Sequence, residues 1–476
     1  MSRVARHLII ALIVIASSLR FFALEEVPPG FFPDEAALMT HLICLDQRHT
    51  DAFGNRWPLF ADGFDPATQH EFRVGIFTPT QLYFGLLWVK AFGYSISSAR
   101  AFNGLAGVTI VVGVFLFTRV LLGSEAALWA ALAAALSPWG FVVGRFAVTA
   151  TLAPALLSLG IYFFLRSRRP AGAVASGVLM SLAIYTYPTL RVQVPLVFLC
   201  LTWIRARLVA PFDRRFCAWA AGSAVVSTVP LVAYLLSGQG MERFQYLSIA
   251  NHEVLARTRL GPGAVSLALV FLRNIALHFS PRFLFISGDA NLRHSTQWTG
   301  ELSWLESLAI VAGVAFYSWQ WLIRREIAAP EKRALRVGLF CFLGYLFAVM
   351  PAAMTWEGQP HALRSIGALP FVACLAGASL ASLQGRWRAT TPIALVVSMA
   401  FLAGFARNYF SDYREKSRPY WTTAVLDAAK ESQRTGDWTL FRRAAGSEYL
   451  VASRYYLIRY AHSSCAATQN FPDSVP

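Results

Sequence analysis

Residues 126–144 read AALWAALAAALSPWGFVVG, with no charged side chain until Arg145 follows. A helix crossing the hydrocarbon core of a bilayer takes about 20 mostly apolar residues, so this stretch reads as a membrane span. Working outward, comparable runs occupy 8–24 (interrupted by Arg20), 101–118, 146–165, 170–190, 192–204, 216–241, 307–323, 337–356, 365–385 and 389–406. The sum is about eleven transmembrane helices. Segments 79–93 and 260–280 are apolar but shorter and amphipathic, and read as interfacial helices. Composition agrees: 56% of the 476 residues are hydrophobic and 14% charged, against about 25% charged in soluble proteins. That balance excludes a disordered chain, a coiled coil and an ordinary cytosolic enzyme. The fold class is an all-α polytopic membrane protein.

Charge then gives orientation. The net +16 could suggest nucleic acid, but the basic residues punctuate apolar runs and read as topology signals; no nucleic-acid partner is expected. Arg3, Arg6, Arg119, Arg166, Arg168, Arg169, Arg205, Arg207, Arg214, Arg215, Arg324, Arg325, Lys332, Arg333, Arg336, Arg386 and Arg388 fall on one side if the spans alternate. By the positive-inside tendency that side is cytoplasmic. The N-terminus is therefore expected inside, and the C-terminus outside. The outer face receives loops 25–99 and 237–303, the turn near 138–149, the link 351–364 and a polar segment 408–476. The chain divides into a membrane module, 1–407, and a small extracytoplasmic unit, 408–476. In that unit 421–434 and 446–460 look helical around a strand at 437–442, an α/β-like pattern. Six scattered cysteines include no CxxC and no Cys/His spacing, so neither a zinc site nor a disulfide framework is indicated.

The outer loops carry the chemistry. Phe31-Phe32-Pro33-Asp34-Glu35-Ala36 places two carboxylates just beyond the first span. An outward Asp34 suits a general base for an incoming hydroxyl. Equally, proline followed by two acids suits the first turn of a helix. Gly288-Asp289-Ala290-Asn291-Leu292-Arg293-His294 offers adjacent donors for a phosphate oxygen, or a polar turn facing lipid headgroups. Pro360-His361-Ala362-Leu363-Arg364 places His361 and Arg364 three apart on one helical face, as an anion site or as an interfacial snorkelling arginine. Arg100 and Arg145 stand at the outer boundary against the positive-inside tendency. They therefore pair with loop carboxylates or meet an anionic substrate. Tyr187, in Tyr185-Thr186-Tyr187-Pro188 before Arg191, fits an interfacial aromatic belt as well as a binding surface. No nucleotide-phosphate loop, GxSxG elbow or HExxH helix is present, which points away from a soluble nucleotide donor and toward a lipid-borne anionic one.

Together these segments resemble the polytopic GT-C glycosyltransferases, in the branch of dolichyl-phosphate-mannose protein mannosyltransferases and aminoarabinose lipid A transferases (glycosyltransferase family 39-like). The resemblance rests on Pro33-Asp34-Glu35-Ala36, Arg100, Ser137-Pro138-Trp139 with Arg145, Tyr185-Thr186-Tyr187-Pro188 with Arg191, Ser280-Pro281 with Phe283-Leu284-Phe285, Gly288-Asp289 with Arg293-His294, and Pro360-His361 with Arg364. It implies a GT-C-like bundle in the bacterial cytoplasmic membrane, with its active site on the extracytoplasmic face. It further implies sugar transfer, with inversion, from a polyprenyl-phosphate donor to a hydroxyl of a protein, lipid or glycan. In that pattern Asp34 is the base and Glu35 a second catalytic candidate. Arg293, His294, His361 and Arg364 face the donor phosphate, with Arg100, Arg145, Tyr187 and Arg191 in support. No cofactor and no metal are expected. One departure stands out: relatives place a carboxylate about one helical turn after the arginine of the second outer loop, whereas Phe146-Ala147-Val148-Thr149 follows Arg145. The competing readings are a transporter or flippase of lipid-linked glycans and an inactive membrane scaffold.

Overall fold

The computed structural model describes residues 1–64, 71–237, 242–251, 263–324 and 329–445, together with 455, 456, 458, 459 and 465. In chain order the helices are α1 (Arg3–Ser18), α2 (Pro33–Arg48), α3 (Pro79–Phe92), α4 (Ile96–Leu122), α5 (Ser124–Leu136), α6 (Pro138–Val143), α7 (Leu152–Arg166), α8 (Pro170–Thr186), α9 (Leu190–Leu208), α10 (Arg214–Leu236) and α11 (Glu242–Leu247). There follow α12 (Ala264–His278), a π turn Arg282–Ile286, α13 (Trp304–Arg324), α14 (Ala329–Ala353), α15 (Leu369–Arg386), α16 (Thr390–Phe410), α17 (Asp412–Ser417), α18 (Thr423–Thr435) and α19 (Thr439–Ala445). An antiparallel pair of strands, β1 (Ala61–Phe64) and β2 (Glu71–Phe77), interrupts the first outer loop. Seven helices are long and apolar enough to cross a membrane, and α5, α7 and α8 are shorter apolar helices. The chain is a polytopic helical membrane protein. The stretch 260–280, expected to be interfacial, contains α12; with the π turn it also meets the length and apolarity of a span.

Small residues let the central helices approach. Leu-Ala repeats make α5 apolar on all sides, and Ala126–Leu136 is buried except for Leu128. A Cβ on Gly377 of α15 would stand 2.6 Å from Ala126 O and from Ala130 Cβ. This is the small-residue contact by which membrane helices gain dispersion energy where lipid removes the hydrophobic drive. A Cβ on Gly177 of α8 would likewise stand 2.2 Å from Ala220 O of α10.

Two expectations change. The strand expected at 437–442 is a helix: Asp437 Oδ1 accepts the Thr439 N–H at 2.9 Å, starting α19. Trp438 and Phe441, three apart, then lie on one side with rings 5.4 Å apart. The Asx cap decides this short segment for helix. Most of 446–460 lies outside the described residues. The second change is a disulfide joining Cys44 of α2 to Cys465, which no spacing signalled across 421 residues.

Candidate active site

Three buried arginines build the ground under Asp34. Pro138 has no N–H to give the carbonyl of Ala134 four residues back, and Arg20 fills the gap. Its Nη2 donates to Ala134 O and Ala135 O, both at 3.3 Å, and its Nη1 to Gly140 O at 2.5 Å. Arg145, in the turn after α6, points the other way, into the first outer loop. Its Nη1 donates to Leu19 O (2.6 Å), and its Nη2 to Phe22 O (2.6 Å), Ala23 O (3.3 Å) and Val27 O (2.8 Å). Phe141, Tyr409 and Phe410 surround that guanidinium at 5.1–5.4 Å from their ring centroids, and burial pushes its pKa below the ordinary value.

Arg100 completes the set with every N–H used. Nη1 donates to Leu24 O (2.8 Å) and Pro28 O (2.7 Å), and Nη2 to Gly30 O (2.6 Å) and Glu35 Oε2 (3.0 Å). Nε reaches Glu35 Oε1 at 3.0 Å. Glu35 in turn accepts the N–H groups of Phe32 (2.9 Å) and Ala147 (2.7 Å). Both side chains are wholly buried. A carboxylate has about four lone-pair sites, and here each one has a donor. Guanidinium-to-carbonyl bonds thus hold the turn 19–30 alongside its own backbone bonds, and Glu35 locks the first turn of α2 onto it.

The next residue, Asp34, is exposed at the N-terminal end of α2, where the helix dipole favours its anion. Arg293 comes from the outer loop 237–303 and stacks 4.1 Å over the Phe32 ring. Burial lowers its pKa, and Asp34 is the strongest of the acidic neighbours opposing that shift. Trp421, from beyond α16, lies 5.6 Å from Phe146, 6.1 Å from Phe32 and 5.7 Å from the Arg100 guanidinium. Thr422 donates its hydroxyl to Phe31 O. The segment after α16 therefore packs on the start of α2. Trp421 is a site neighbour the sequence did not offer, since nothing local ties an exposed-loop tryptophan to a loop almost 400 residues away.

The expected phosphate cluster divides. Arg364 is engaged internally, with Thr355 Oγ1 (2.8 Å), Glu357 O (3.1 Å) and Glu357 Oε2 (2.8 Å). His294 and His361 face each other at 4.9 Å between ring centroids, and Asp289 lies between them. Asp289 Oδ2 is 3.0 Å from His294 Nδ1, 3.9 Å from His361 Nδ1 and accepts the Ala362 N–H at 2.8 Å. Burial, then the neighbouring cations, pushes the His361 pKa well down, so its imidazole is neutral. Glu301 is fully buried beside Asp289, whose N–H it accepts at 2.8 Å, and burial drives its pKa well up. Trp139 holds both segments, its Nε1 donating to Ala362 O (2.9 Å) and its N–H to Glu301 O (3.3 Å). Tyr187 and Arg191 sit at the α8–α9 junction, where Arg191 faces Tyr234 of a stack with Phe60 and Tyr185.

A family model described as dolichyl-phosphate-mannose-protein mannosyltransferase matches residues 78–236. Over that third of its length, the chain resembles this family. The match runs from Thr78 through α10, so it includes Arg100, Arg145, Tyr187 and Arg191 and leaves Asp34, Asp289, Arg293 and His361 outside. The resemblance to the mannosyltransferases drawn from short motifs thus recurs in a continuous stretch. No curated protein matches the chain. Among solved structures, ArnT from Cupriavidus metallidurans bound to undecaprenyl phosphate is 18% identical, with 97% of this chain and 77% of that one covered and a TM-score of 0.49. Archaeal oligosaccharyltransferase AglB from Archaeoglobus fulgidus, in complex with an inhibitory peptide and a dolichol-phosphate, is 15% identical; 96% of this chain and 60% of that one are covered, with a TM-score of 0.44.

Proposed function

We propose that this protein is a glycosyltransferase that moves a sugar from a polyprenyl-phosphate donor to an acceptor hydroxyl at the extracytoplasmic face of the bacterial cytoplasmic membrane. The observation that carries the reading is Asp34: an exposed carboxylate on a rigid helix start, opposed by Arg293, on a scaffold whose 78–236 stretch matches mannosyltransferases. In the inverting displacement, Asp34 takes the proton of the acceptor hydroxyl, the hydroxyl oxygen bonds to the anomeric carbon, and the bond to the phosphate breaks on the opposite side. Arg293 neutralises the departing phosphate, with His294, His361 and Arg364 on the same side of the site. A phosphate leaves readily without a protein acid. Glu35, with all its lone pairs taken, positions Asp34 rather than reacting. The N-terminus lies in the cytoplasm, and 408–476 is extracytoplasmic. The arginine-rich connections support that orientation, as does the Cys44–Cys465 disulfide, a bond at home on an oxidising side.

The test is transfer by purified protein in nanodiscs, offered a panel of radiolabelled polyprenyl-phosphate sugars and a crude envelope extract. Wild type is expected to transfer label, and Asp34→Asn to lose about 10²–10⁴-fold in rate. Equal rates in the two proteins would remove Asp34 as base. Uptake or release of a lipid-linked glycan without any transfer would replace the enzyme by a transporter.

A further inference from the structure

We propose that the end of the bundle where α7 and α9 finish and α8 and α10 begin binds the phosphate headgroup of an anionic phospholipid, whose acyl chains lie along α10. The two connections there, 166–169 and 205–215, carry six exposed arginines: Arg166, Arg168, Arg169, Arg207, Arg214 and Arg215. Asp213 is the one acid in these connections. Its carboxylate turns onto its own helix and accepts the N–H groups of Arg215 at 2.9 Å and Phe216 at 3.2 Å.

Packing makes the two connections a single surface. The buried Arg205 donates through Nη1 to Phe164 O and to Leu165 O, and its guanidinium lies 4.0 Å from the centre of the Phe216 ring. One side chain thus ties the end of α9 to the end of α7 and the start of α10. Gly177 of α8 lies against Ala220 of α10, and further along the Tyr185 hydroxyl accepts the Leu231 N–H at 3.0 Å. The two helices therefore run parallel, and both positive dipole ends face the patch. Yet α10 has Arg214 and Arg215 and no acid in its first turn, and Arg168 and Arg169 precede Pro170 of α8. Cations at a helix start oppose the dipole, whereas an anion held there is favoured by dipole and guanidinium together.

The bare face of α10 says which anion. Arg215, Trp219, Val226, Val229 and Leu236 follow one another at helical spacing, so they share one face, and all are exposed. An acyl chain laid on this stripe brings its headgroup to Arg215, with Trp219 at the level of the interface. A second copy docked face to face would instead set arginine against arginine. The orientation proposed above puts this end at the cytoplasmic leaflet, whose anionic lipids attract such basic clusters.

The inference rests on that membrane placement and not on sugar transfer. Full-length protein in mild detergent is titrated with phosphatidylglycerol or with phosphatidylcholine of the same acyl chains, and bound lipid is counted by native mass spectrometry. Wild type is expected to hold phosphatidylglycerol at least about tenfold more tightly than phosphatidylcholine. The double variant Arg168→Gln, Arg214→Gln should weaken phosphatidylglycerol binding about 25-fold, at about fivefold for each guanidinium removed, and leave phosphatidylcholine binding unchanged. Arg386→Gln with Arg388→Gln removes as many charges from the α15–α16 connection and should bind like wild type. Equal affinity of wild type for the two lipids overturns the proposal. So does an equal loss in both double variants, which would make the arginines topology signals alone, or a dimer that buries this face of α10 in place of lipid. The comparison of the two lipids in wild type decides even if a variant fails to fold.

Discussion

Asp34 and Glu35 are adjacent acids with opposite surroundings. Glu35 is wholly buried and meets four donors, two of them on Arg100; Asp34 is exposed beside the Arg293 stack. The first turn of a helix points successive side chains about 100° apart, so one faces the arginine-built floor and the other the solvent. The lesson is a division of labour. A carboxylate buried with every lone pair taken gives rigidity, whereas one exposed to solvent is open to an incoming hydroxyl.

Substitutions can break or sharpen this contrast. Arg100→Met leaves the Glu35 carboxylate buried without its partner, which typically costs about 3–5 kcal/mol; a collapse in the monodisperse fraction on size exclusion is the expected readout. Glu35→Gln presents an amide to donors that need acceptors, at about 1–3 kcal/mol for each group left unsatisfied. It should lower the thermal midpoint while a folded fraction still transfers sugar, whereas Asp34→Asn should leave the midpoint alone and slow transfer about 10²–10⁴-fold. The reverse pattern, a stable but inactive Glu35→Gln, would make Glu35 the base. Arg293→Gln removes a charge-assisted contact of about 1.5–3 kcal/mol. This should appear as a roughly ten- to hundredfold loss in kcat/KM for the donor with the midpoint unchanged. Phe32→Leu, which removes only the ring under Arg293, should cost about 0.5–1 kcal/mol and lower the same constant a few-fold.

The helices were legible because a bilayer demands long apolar runs, and the helix start at Pro33 because proline and acids suit a first turn. Arg100 was legible as a residue needing a partner, and a loop carboxylate, one of the two options, is what it found. Arg145 was read the same way, but its partners are neither a carboxylate nor a substrate: they are backbone carbonyls of 19–27, which carry no side-chain signature. His294 and His361 were expected on one site through the family resemblance, whereas the place of Asp289 between them was hidden for a different reason. The two short motifs lie about 70 residues apart in sequence, and packing against Trp139 with the Ala362-to-Asp289 hydrogen bond brings them together. Asp289 itself looked like a turn former. The helix at 439–445 was missed because one cap hydrogen bond decided between two local patterns.

The link between Cys44 and Cys465 also counts membrane crossings. Two sulfurs that bond to each other lie in the same compartment, so the chain between them crosses the bilayer an even number of times. Among the described residues between them, α4, α5 with α6, α7, α8, α9, α10, α13, α14, α15 and α16 make ten apolar segments, and α12 with its π turn an eleventh. If the ten all cross, the eleventh does not. It carries Arg273 on an exposed face near its middle, where a full crossing would place a charge at bilayer depth at a cost of about 2.5–3.5 kcal/mol. Parity thus holds the number of crossings between the two cysteines to an even value, and with ten crossings α12 stays out of the bilayer core.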